Sequence, residues 1–215
     1  MGLTSEGSTW VNIDRVRQAG SRGFIGLLLM LIGAFIPDVG VVVQIVGLVL
    51  LLLALSALSQ ELQEPKIFRY AIYAVVIDIV GAVIIVFTVG AYIFAMLGVS
   101  IFTAVGRMPA LPFGASAFIG ALIGTLIAFY VLMVVVGYLY RKIYEMLSER
   151  VAPLSQGASD DFRSASKWYW LGSLLLIILV GAILLLIAII KAMMGFHNLE
   201  RASPPAQPGS PTATL

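Results

Sequence analysis

Few side chains in this sequence could do chemistry, and most of those lie far from water. Asp78 is the clearest. It is the lone acid in the apolar run 67–106. Twelve residues separate it from Lys66, so a helix carries it about 18 Å inward, near the midplane of a bilayer. A bare carboxylate is costly at that depth, so it must be protonated, hydrogen-bonded or turned toward a wet cavity. Gln44 and Thr125 fall at similar depths when counted along their own apolar runs. Asp78, Gln44 and Thr125 therefore form a candidate buried polar layer. Two readings of Asp78 stand side by side: a proton or cation site, or a protonated acid tying helices together.

Other chemistries lack their residues. There is no cysteine and a single histidine, His197. That excludes disulfides, thiolate metal sites, cysteine nucleophiles and a His-rich centre within one chain. No triad, carboxylate pair or zinc spacing is present. The glycines at 20, 23, 26 and 33 follow no strand and precede no Gly-Lys-Ser/Thr, so they are not a phosphate loop. The expectation is a non-catalytic protein with no cofactor and no metal ligands. A net charge of +2 gives no case for nucleic acid.

The elements that must position Asp78 are membrane helices. The chain is 60% hydrophobic and 11% charged, against about 25% charged in soluble domains. This composition predicts an all-α, polytopic transmembrane bundle of about five spans with a tight first hairpin. Residues 1–21 form a polar N-terminal segment, 22–199 the transmembrane domain, and 200–215 a Pro-rich tail that cannot bury a core and reads as disordered.

The spans read as 23–36, 39–58, 67–88, 115–140 and 167–191. Residues 91–106 continue the third helix, re-enter, or lie at the interface. Pro37-Asp38 marks a turn, with Asp38 placed to cap the second helix. Ser159 or Asp160 is placed to cap a helix leading into the last span. Arg141 and Glu145 are one turn apart and can pair. Trp168, Tyr169 and Trp170 belong at an interface. Gly26, Gly33, Gly40 and Gly47, with Gly20 and Gly23, serve close packing of the first hairpin. Ser116, Gly120, Gly124 and Ala128 recur every four residues as a candidate helix-packing face, with packing inside one chain favoured over a dimer face. A cytoplasmic N-terminus places ten of the thirteen basic residues inside, and five spans then put the C-terminus outside.

The Gly-rich first run ending Phe35-Ile36-Pro37, the restart Lys66-Ile67-Phe68-Arg69-Tyr70, and the closing Leu171-Gly172-Ser173, Val180-Gly181-Ala182 and Gly195-Phe196 resemble a family of archaeal membrane proteins, domain-of-unknown-function family 996. The resemblance covers most of 22–199. It implies an archaeal source and brings no activity or catalytic residue. The leading functional expectation is a structural or accessory subunit in the cell membrane, packed in the lipid bilayer against other membrane subunits or itself. The alternative is a small oligomeric transporter or channel component using the buried acid.

Overall fold

The computed structural model describes residues 11–104, 115–178 and 180–202, with side chains described except at 95–104, 115–119 and 121. Six α-helices run in order: α1 (Ile13–Gly33), α2 (Gly40–Glu61), α3 (Pro65–Ala104), α4 (Ala115–Val151), α5 (Gln156–Leu174) and α6 (Val180–Glu200). A 3-10 turn, Leu175–Ile178, follows α5. No strand occurs among the described residues. The chain is an all-α bundle. Four of its helices, α2, α3, α4 and α6, are long and apolar enough to cross a membrane.

The tight first hairpin is present. A Cβ placed on Gly26 would lie 2.7 Å from the Gly47 carbonyl oxygen, and one on Gly47 would lie 2.6 Å from that of Gly26. Gly33 and Gly40 meet in the same way near the turn. Without side chains there, the two backbones touch, and dispersion replaces what hydrophobic exclusion cannot supply in lipid. Gly20 and Gly23 serve a different seam. They admit α6, with Gly20 against the Phe196 carbonyl and Gly23 against the Phe196 ring. Asp38 does not cap α2. It sits in the turn at φ 63°, and the N-cap is Val39, with no side-chain hydrogen bond.

The segment 13–21, part of the polar N-terminal stretch, is the first half of α1. Asn12 caps it by accepting the Arg15 N–H, and Val16 and Ala19 are buried. The segment 91–104 continues α3 without interruption, giving a helix of 40 residues, about 60 Å long. Residues 105–106 lie outside the described residues, as do 1–10 and the tail 203–215.

The last predicted span is corrected. Residues 167–191 are not one helix. They form the upper parts of α5 and α6, joined through the 3-10 turn into a hairpin. Gly172 and Gly181 make the fold-back possible, because Gly181 lies directly on the Gly172 carbonyl. Nothing in the run Leu174–Val180 signals a break by composition, since it is apolar without proline. The helix before the last span is capped by Ser155, whose hydroxyl accepts the Ala158 N–H, rather than by Ser159 or Asp160. Ser159 instead is buried and donates to the Ser148 carbonyl at 2.7 Å.

Arg17 Nε donates to the Ala202 carbonyl at 2.9 Å, so both described ends lie on one face. The same face holds the ion pairs Arg15–Glu61 (3.1 Å) and Arg150–Glu64 (2.8 Å). Lys191 joins it through Asp161 at 3.0 Å, and Asn198 donates to the same carboxylate at 2.8 Å. We call this end the base.

A buried aromatic seam holds α4, α5 and α6 together near the base. Tyr140 and Tyr144 stack on Tyr169, with centroids 5.1 and 5.4 Å away, and Phe162 stands edge-on to Phe196 at 5.1 Å. Tyr169 is therefore core rather than an interface residue, while its neighbour Trp170 lies under the Arg141 guanidinium at 5.4 Å. That stacking takes Arg141 away from Glu145, which pairs with Lys142 instead at 3.0 Å.

Candidate functional site

Asp78 lies about a third of the way up α3, on the face turned toward the other helices. Its neighbours Ala74 and Ala71, one and two turns below, are fully packed, which seats this part of α3 in the bundle. Two cavities meet at its side chain. The larger, about 280 Å³, is bounded by α1 (Leu27, Met30), α2 (Leu51), α4 (Met133, Tyr140), α5 (Tyr169) and α6 (Leu185). The smaller, about 140 Å³, lies between α3 and α4, against Gly81, Phe129 and Leu132. The walls are apolar apart from the carboxyl, the two tyrosines and Ser173, whose hydroxyl donates to the Trp170 carbonyl at 2.9 Å. Asp78 takes part in no ion pair among the described residues.

The predicted polar layer does not assemble. Gln44 packs against Gly33 within the first hairpin and lines neither cavity. Thr125 is eight residues beyond Met133 on α4, about 12 Å further along the helix than the residue facing Asp78. Counting depth from the start of each run placed the three together, because it took every helix to begin at one level. The helix α4 begins far above the rest. What surrounds Asp78 instead are Tyr140 and Tyr169, which sequence position assigned to span ends. Their spacing from Arg141 and Lys167, one and two residues, was the available sign that they sit just inside the apolar zone.

The candidate packing face on α4 is open. Gly120 and Gly124 have nothing within 4 Å of an added Cβ, and Ala128 is exposed. The side chain of Ser116 lies outside the described residues. Packing of this face inside one chain is not seen at the described positions. The reason is length: α3 and α4 run about 60 and 55 Å, while α1, α2, α5 and α6 run about 30 Å. The upper halves of α3 and α4 therefore stand above the bundle. Among the described residues no three His, Cys, Asp or Glu side chains are grouped to hold a metal ion.

Comparison with known proteins fits this architecture. Residues 43–190 match the family described as "Protein of unknown function (DUF996)". The chain belongs to the DUF996 family. The matched segment runs from α2 to the upper part of α6, so it contains Asp78 and the smaller cavity, while the α1 wall of the larger one, Leu27 and Met30, lies outside it. This DUF996 chain is 32% identical over 184 residues to an uncharacterized protein of Methanocaldococcus jannaschii, covering 86% of this chain and 93% of the relative. No solved structure matches it.

Proposed function

We propose that this DUF996 protein is a non-catalytic subunit of a membrane assembly, and that the upper parts of α3 and α4 pack against further helices of a second copy or another membrane protein. The observation that carries this reading is the open glycine face. Glycines in the bundle are covered, those at 26 and 47 by backbone, but Gly90, Gly120 and Gly124 meet nothing. Small residues at four-residue spacing let a helix approach to backbone contact, which is the main source of helix affinity in lipid. The surrounding surface is apolar, with Phe87 74% and Phe94 80% exposed.

Orientation follows from the base. With both described ends on one face, the twelve basic residues among the described ones belong to the basal half. The positive-inside rule then makes the base cytoplasmic in the cell membrane. On this reading both described ends share that side. The test of the assembly reading is purification in mild detergent followed by mass measurement. The native protein runs as an oligomer or with a stoichiometric membrane partner, and Gly120→Leu with Gly124→Leu releases a folded monomer. A native protein that is already monomeric and partner-free defeats the reading.

A second reading is favoured by the cavities at Asp78: a small transporter or channel component in which this acid takes a proton or cation. An intramembrane acid facing a cavity is the usual mark of such a site. Asp78→Asn would then abolish proton or cation flux into liposomes while the assembly stays intact. Unchanged flux, or no flux in the native protein, removes this reading.

A further inference from the structure

We propose that the groove between the lower parts of α4 and α5 holds the headgroup of an anionic lipid. The groove has a volume of about 400 Å³. Three cations line it: Arg141 from α4, and Arg163 and Lys167 from α5. Its inner wall carries Ser148 and Ser166, both buried. Arg163 and Lys167 are exposed, one helical turn apart, and form no ion pair among the described residues. Arg141 rests on the Trp170 ring, which leaves the edge of its guanidinium free to donate. Of the two acids on the wall, Glu145 is engaged by Lys142, and Glu149 lies at the end nearest the α4 C-terminus, furthest from Arg141.

Position selects a lipid over a free anion. Val131, Val135, Tyr138, Arg141, Glu145 and Glu149 follow one another at three- or four-residue steps and share a face of α4. Arg163, Lys167 and Leu171 do the same on α5. Both faces change from ionic to apolar at the groove, where Val131, Val135, Tyr138 and Leu171 are exposed. Trp170 and Tyr138, edge to face at 6.1 Å, mark the boundary, where aromatics favour the headgroup layer. A phosphodiester held by the cations would leave its acyl chains on the apolar strip above. Basic pockets between membrane helices bind anionic headgroups in this way. A soluble phosphate would have no use for that strip.

The test is native mass spectrometry of the full-length protein in mild detergent, titrated with phosphatidylglycerol or phosphatidylcholine. The expected result is preferential retention of phosphatidylglycerol, reduced roughly thirty-fold by Arg163→Gln with Lys167→Gln. Lys66→Gln with Arg69→Gln, two exposed cations elsewhere at the base, should leave retention unchanged. Should the first pair lower the melting temperature, Lys167→Gln alone carries the comparison. Equal retention of the two lipids, or no loss in the groove variant, overturns the proposal. So does full displacement by inorganic phosphate, which would make this a soluble-anion site, or tighter binding of a polyglutamate peptide, which would make it a protein interface.

Discussion

The bundle and the upper parts of α3 and α4 use the same residue types to opposite ends. In the bundle, Gly26 and Gly47 remove side chains so that two backbones can meet, with an added Cβ falling 2.7 and 2.6 Å from a carbonyl oxygen. On the upper parts of α3 and α4, Gly90, Gly120 and Gly124 remove side chains and nothing arrives. Phenylalanine divides likewise: Phe196 is wholly buried, while Phe94 is 80% exposed. Both regions are apolar, so hydropathy alone cannot tell them apart. The difference is occupancy. In lipid an uncovered apolar side chain costs little, but a row of uncovered glycines forfeits helix propensity of about 1 kcal/mol each without a contact in return.

The largest effect should separate the two phenylalanines. Phe196→Ala is expected to cost about 3–5 kcal/mol of stability, and Phe94→Ala less than about 0.5 kcal/mol. Thermal melting of the detergent-solubilised chain checks both, and similar losses would erase the contrast. Next come the glycines. Gly47→Leu drives a side chain into the α1 backbone and should lower Tm by roughly 6–12 °C, whereas Gly124→Leu leaves the Tm of the monomer in place. A smaller effect, about 2 kcal/mol, is expected for Asp161→Asn, which removes the carboxylate that Lys191 and Asn198 share. Urea titration of the pair Asp161→Asn and Lys191→Gln as a double-mutant cycle would show whether that link fastens α6 to α5. Smallest is Arg15→Gln. Its partner Glu61 is well covered, but the arginine side chain is 66% exposed, so the loss should stay under about 1 kcal/mol and shrink in salt.

Much of the fold could be read from the residues. The turn at Pro37-Asp38 and the glycine register of the first hairpin both followed from local chemistry. The α5–α6 fold-back did not. Seven apolar residues between Ser173 and Gly181 carry no turn signal, and the bend is set by what Gly172 and Gly181 touch after folding. The reading of 167–191 as one helix failed at that one place. At the candidate site, Asp78 was legible because a carboxylate in forty apolar residues needs a reason. Its true neighbours were not, because depth counted along separate helices ignores how far each is shifted along the bundle axis. Tyr140 and Tyr169 enter the cavity wall through that shift.

One consequence of the unequal helix lengths concerns the lipid itself. Among the described residues six helices meet at the base and only α3 and α4 continue to the far end, so this described part tapers. A tapered inclusion occupies more area in one leaflet than in the other. Lone copies would favour bilayers already curved toward the narrow end, and closing the upper glycine faces against one another would relieve that asymmetry by thickening the tip.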